Sequence, residues 1–296
     1  MNKEETIGSN IIESSLKLPF VKVDRREFLI KIFKDKVDDY EKLIEDGPTS
    51  FFSKVELDSI ADRIINKEVL ASSGMSFAAG VPGGLTMAAT IPADIIQFYG
   101  YALRLAQEIS YIYGYENILD DDSQLTEEGK NTLILYLGIM LGVSVAGSTV
   151  RLLSVKFSQQ LLKTLPRKAL MKTMYYPVIK KVLKHFGVVV TKKTFSGAVS
   201  KVIPIIGGGV SGGINYVTLK SLSKKLKIEL GKIINYTEDE MNKDIEILEG
   251  EFVEISRNEL DNSSKIDEIK KAHELYLNSV LTEDEFNTLK KKILNS

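Results

Sequence analysis

The chain contains no cysteine and no tryptophan. Without Cys there is no disulfide framework, no thiol nucleophile, and no thiolate zinc or iron–sulfur site. Histidine is nearly missing too. His185 and His273 are the only two, far apart and without local partners, so no metal site is assigned and no cofactor is called for. The opening Met1-Asn2-Lys3-Glu4-Glu5 is not a basic start leading into an apolar run, so no signal peptide is read. With no export signal and no Cys, the expected compartment is the cytoplasm.

The most informative absence is local. Between Glu128 and Glu229 there is no Asp or Glu, while 17 Lys and Arg fall in that window. Residues 1–128 carry 23 acids against 13 bases, and residues 229–296 carry 17 against 9, so a net charge of −1 conceals a strong segregation. Three explanations compete. The acidic flanks could pack on the basic middle and neutralise it. The middle could face an anionic membrane, where each Lys or Arg contributes on the order of 1 kcal/mol. It could also face a nucleic-acid backbone, but no reading motif accompanies the charge, and nucleic acid is not an expected partner.

What is present is ordinary for a folded protein. A 296-residue chain with 44% hydrophobic and 27% charged residues excludes wholesale disorder and suits one large domain, or a domain with an appendage. Three uncharged runs stand out, at 69–93, 131–150 and 202–219. The second has the length of a spanning helix. Ser, Thr, Asn and Gly dilute all three, so buried or shallowly inserted helices are expected rather than true spans.

Helical spacing runs through the rest. Phe28, Leu29, Ile32, Phe33, Val37, Tyr40 and Ile44 recur with it, as do Ile60, Ile64, Ile65 and Val69. Pro92 marks a helix start, and Ile95, Phe98, Tyr99, Ala102, Leu105, Ala106 and Ile109 line one face after it. Thr126 with Glu127 and Glu128 predicts the N-terminus of the next helix. No alternating strand is found, and the fold class is all-α.

The segment 177–186 is a basic amphipathic helix. Val178, Ile179, Val182, Leu183 and Phe186 form its apolar face, Lys180, Lys181 and Lys184 lie opposite, and Gly187 is expected to end it. The three lysines are the candidate membrane-surface residues. His185 is expected at the surface rather than as a ligand.

Two motifs suggest chemistry. Gly207-Gly208-Gly209-Val210-Ser211-Gly212 fits G-x-G-x-x-G, with Glu229 downstream, but no strand precedes or follows it, so no nucleotide site is assigned. The better reading is packing: Gly208 with Gly212, Gly209 with Gly213, and Gly80 with Gly84 are spaced to let helices approach closely. Asp94, the one acid in a long apolar region, is either a first-turn carboxylate serving open backbone N–H groups or a buried polar anchor with Asn215 or Arg104 as partner. No second acid, His or nucleophile elbow accompanies it, and no catalytic residue is assigned.

Three blocks carry a family resemblance: Gly80-Val81-Pro82-Gly83-Gly84-Leu85; Ile91-Pro92-Ala93-Asp94-Ile95-Ile96-Gln97-Phe98-Tyr99-Gly100, running on to Tyr111-Ile112-Tyr113-Gly114; and Ile203-Pro204 through Asn215-Tyr216. Over roughly residues 25–230 the chain resembles the EcsC family. That resemblance implies a bacterial helical protein in a membrane setting and brings no catalytic residues with it. Residues 265–296 resemble a SHOCT-type short domain. There Ile266, Ile269, Leu275 and Leu277 form a small helix face, and Thr282 with Glu285 forms a capping box before a second helix.

The expected organisation is therefore an N-terminal extension (1–24), a main helical domain (25–235) with closely packed Gly-rich helices, an acidic linker or helix (236–264) and a hairpin (265–296). A 32-residue hairpin buries little by itself, so it is expected to dock, to self-associate or to hold a protein partner. The leading function is a non-enzymatic membrane-associated or adaptor protein at the cytoplasmic side, peripheral to the inner face of the cell membrane or inserted in it. Its 129–228 region would meet anionic lipid. The alternative is a carrier or enzyme for a lipid-like ligand near Asp94 and Asn215.

Overall fold

Side-chain caps set where several helices begin. Asp24 accepts from the Glu27 N–H at 2.7 Å, Asp39 from Lys42 at 3.0 Å, and Thr126 from Gly129 at 2.8 Å, each satisfying a donor that the first turn leaves open. The computed structural model describes residues 2–74, 93–120, 122, 124–154, 175–196, 212–277 and 281–295, with the backbone alone at 73–74, 192–196, 212–215, 254–264 and 294–295. The regular structure among them is helical apart from one isolated antiparallel bridge, Leu119 to Leu125. The chain is all-α, as its periodicity predicts.

In order, the helices are α1 (Lys3–Leu16), α2 (Arg25–Phe33), α3 (Tyr40–Asp46), α4 (Lys54–Gly74), α5 (Ala93–Ile112), α6 (Glu127–Leu141), α7 (Ser144–Leu153), α8 (Tyr176–Ser196), α9 (Gly212–Leu230), α10 (Glu238–Leu277) and α11 (Glu283–Asn295). Short 3₁₀ turns cover Pro48–Ser50 and Gly231–Asn235. Two compact units result, Met1–Ile245 and Glu246–Ser296.

Helix α5 is the axis of the first unit. It is apolar nearly all round and buried from Ile95 to Ile112 save at Gln97 and Arg104, the pattern of a helix enclosed by others. Helices α1, α4, α6 and α9 pack against it. A fully buried Leu, Ile or Phe contributes about 1.5–3 kcal/mol, so this one helix anchors much of the core. Gln107 satisfies itself there: its Nε2 donates to the Val21 and Leu103 carbonyls, and its Oε1 accepts from the Val23 N–H.

Four features depart from the sequence reading. Residues 1–24 are not an extension, because α1 packs against α5 and α8 and Ile11, Ile12 and Val21 are fully buried. The apolar run from Phe28 to Ile44 is two helices, since α2 stops at Phe33 and Asp39 caps a new one. The uncharged run 131–150 is also two helices: α6 ends at Gly142, which adopts φ +85°, and α7 restarts at Ser144. Among the described residues no helix is long and apolar enough to cross a membrane.

The fourth departure is Gly187, which does not end its helix. Helix α8 runs on to Ser196, and a Cβ at Gly187 would overlap the Glu4 carbonyl oxygen of α1. A Cβ at Gly8 would likewise lie 2.6 Å from the Leu183 carbonyl oxygen. Glycine here permits close approach of two helix backbones and not termination.

In the second unit, the greater part of α10 and the whole of α11 meet through aromatic side chains. The Tyr276 and Phe286 rings stack with centroids 5.5 Å apart, and His273 lies 5.6 Å from Phe286. The capping box is present: the Thr282 N–H donates to Glu285 Oε2 at 2.8 Å, and the Glu285 N–H donates to Thr282 Oγ1 at 3.3 Å.

Candidate functional site

Three polar features stand out in the first unit. The first is a closed charge cluster around Arg151 in the last turn of α7. Its Nε donates to Asp244 Oδ2 and its Nη2 to Asp244 Oδ1, both at 2.7 Å, and Nη1 donates to Glu229. Lys232 Nζ donates to the other Glu229 oxygen at 2.7 Å, and the Tyr236 hydroxyl donates to Asp244. Arg151 is 8% exposed and Asp244 4%. Burial alone would raise the Asp244 carboxyl, but Arg151, Tyr236 and Ser148 outweigh it and hold it below the usual carboxylate range. Glu229 is held low in the same way by Lys232 and Arg151. Two cations meet two anions, so this cluster is balanced and serves as a tie between α7, α9 and the start of α10.

The second feature, on α5, is unevenly paired at its buried end. Arg104 Nη2 lies 2.9 Å from Glu108 Oε1, its Nε 3.5 Å from Glu68 Oε2 of α4, and its Nη1 donates to the Phe20 carbonyl at 2.6 Å. One guanidinium thus serves two carboxylates. Lys67 lies 3.7 Å from Glu68, at the exposed edge. Glu108 is 2% exposed, and its Oε2 has no hydrogen-bond partner among the described residues. Burial, reinforced by the Glu68 charge, pushes the Glu108 carboxyl up to about 7 against the pull of Arg104.

The third feature is the outer face of α8. Val178, Ile179, Val182, Leu183 and Phe186 are all buried, and Lys180, Lys181 and Lys184 are all exposed. The amphipathic division read from sequence is present, with its apolar side already covered by protein. Elsewhere, described bases of the acid-free window pair with the acidic flanks: Lys130 with Glu13, Arg151 with Glu229 and Asp244, and Lys227 with Asp62. His185 and His273 are exposed.

Asp94 lies in the first turn of α5 and is exposed, so it is not a buried anchor. Arg104 is ten residues further along the same helix, about 15 Å by helical rise, and its partners are Phe20, Glu68 and Glu108. The Asn215 side chain lies outside the described residues, as do Gly80, Gly84, Gly208 and Gly209, while Gly212 and Gly213 form the start of α9. The geometry does not bring Asp94 and Arg104 together. No group of three or more His, Asp or Glu suited to a metal occurs among the described residues.

Arg151, Asp244, Glu68 and Glu108 are not singled out by the sequence reading, and Glu229 is named there only as the acid closing the basic window and following the glycine motif. A signal existed for two of them: Arg151 is the first charge after twenty uncharged residues, and Glu108 is the one acid of α5 beyond its first turn. Comparison with known proteins adds nothing to the geometry, as no family model, curated protein or solved structure matches the chain.

Proposed function

We propose that the chain is a non-enzymatic, membrane-associated adaptor of the EcsC type that adheres to anionic lipid at the cytoplasmic face of a bacterial membrane. The observation that carries this reading is α8, where a fully buried apolar face leaves Lys180, Lys181 and Lys184 directed outward. With its apolar side committed to the core, α8 would bind by charge at the lipid surface and not by inserting. The SHOCT-like hairpin is the element that would take a protein partner or a second copy. Leu275 and Leu277 on α10 and Leu289 on α11 remain exposed and support that role.

Co-sedimentation with anionic and neutral vesicles at low and high salt tests the reading. The expected result is binding to anionic vesicles alone, lost at high salt. Replacing Lys180, Lys181 and Lys184 with Ala should weaken it by roughly 100-fold, at about 1 kcal/mol for each lysine. Binding that ignores salt, or is unchanged in the triple variant, would overturn it.

A further inference from the structure

A buried carboxylate needs either a full set of hydrogen-bond donors or a proton. Glu108 has neither a second donor nor water-accessible surface: Arg104 serves Oε1, and Oε2 faces no partner among the described residues. Arg104 cannot neutralise it alone, because the same guanidinium also faces Glu68 and the Phe20 carbonyl. Several charges on the elements packed around α5 are engaged elsewhere, and the cations that act on Glu108 are Arg104 and Lys67. Lys227 and Glu229 of α9 pair with Asp62 and Arg151, and Lys220 of α9 lies over the Tyr216 ring. Glu13 of α1 pairs with Lys130 of α6, Arg26 of α2 pairs with Glu41, and Arg25 donates to the Tyr115 and Ile44 carbonyls. On α4, Lys67 faces Glu68 from the exposed side.

We propose that Glu108 is a proton-binding site that makes the packing of α4 on α5 sensitive to pH: in the compact fold it is a carboxylic acid protonated at Oε2, and its ionisation sets it against Glu68 for the single Arg104 guanidinium. Losing the proton sets two carboxylates against one guanidinium at the buried end of the site, with Lys67 reaching only Glu68 at the exposed edge, and this excess negative charge beside Glu108 either loosens the contact or draws in solvent. Holding the proton leaves one ion pair, Arg104 with Glu68, and a neutral acid. Such a group links stability to pH in a fixed direction. The folded chain binds the proton more tightly than the unfolded chain, so stability falls as pH rises from the ordinary carboxylate value of 4.5 to about 7, and is level above that.

Glu108→Gln, which keeps the shape of the neutral acid, tests this in the full chain by urea unfolding across that range. The folded-to-unfolded ratio of E108Q relative to wild type should rise at least about tenfold between about pH 5 and about pH 8. A ratio that is flat with pH overturns the proposal. Should E108Q fail to fold, Glu68→Gln decides it. In wild type labelled with ¹³C at the Glu carboxyls, one resonance should titrate near neutrality, and in E68Q its midpoint should move to lower pH. The absence of such a resonance, or an unmoved midpoint, is equally fatal.

Discussion

Arg151 and Asp244, 93 residues apart in the chain, meet through two parallel hydrogen bonds of 2.7 Å. Removing one partner of a buried pair leaves an uncompensated charge, which costs about 3–5 kcal/mol, whereas replacing both with apolar residues of similar volume is often neutral. Arg151→Met should therefore destabilise the first unit by that amount, and Arg151→Met with Asp244→Leu should recover most of it. Urea unfolding of the three chains measures both effects. A double variant as unstable as the single one would show that the cost lies elsewhere.

The same cluster should control acid sensitivity. Asp244 and Glu229 are both held below their ordinary values in the folded chain. Their stabilisation is present above about pH 4 and lost as pH falls through their depressed values. Wild type should lose stability below about pH 4 more steeply than the variant lacking Arg151 and Asp244. Circular dichroism followed through an acid titration reads the difference.

Glycine substitutions should separate close approach from helix propensity. Gly187→Ala gains up to about 1 kcal/mol of propensity, but its methyl would meet the Glu4 backbone, which yields less readily than a side chain. Overpacking of this kind typically costs about 1–3 kcal/mol, so a net loss is expected. Gly250→Ala, on α10 with nothing within 4 Å of its Cβ, should instead stabilise its helix by roughly 0.5–1 kcal/mol. Equal effects at the two positions would contradict the α1–α8 contact.

The all-α class, the caps at Thr126 and Thr282 and the α8 division were legible in the sequence because each rests on contacts within about one or two turns of chain, whereas α5, read with one apolar face, is buried nearly all round. Gly187 was misread for the converse reason. Nothing near it in sequence shows that α1, nearly two hundred residues earlier, lies against it, so a close-packing glycine looks like a terminating one. The same holds for Arg151, whose partners come from α9 and α10. Asp94 drew attention as an isolated acid, yet its place in a first turn leaves it exposed. Glu108, fourteen residues on and on nearly the same face of α5, is the buried one, because that end of the helix is enclosed by its neighbours.

In the second unit, Phe286 joins α11 to α10 through Tyr276 and His273. Phe286→Ala should release α11 locally, raising amide exchange from Glu283 to Asn295, while the unfolding midpoint of the first unit stays fixed. Hydrogen exchange read by mass spectrometry resolves the two regions. A fall in the protection of α5 would show that the hairpin stabilises the core.

Gly142 divides the uncharged run 131–150 through its backbone conformation. Its φ of +85° ends α6, its N–H donates to the Gly138 and Ile139 carbonyls, and a Cβ there would meet open space. An L-residue in that region costs roughly 1–2 kcal/mol, and Asn is better tolerated than other residues. Gly142→Ala should therefore lower stability by about 1 kcal/mol although nothing clashes, and Gly142→Asn should lower it less. If Gly142→Ala matched or exceeded wild type in urea, α6 and α7 would have another reason to part, such as the covered positions of Val143 and Val145.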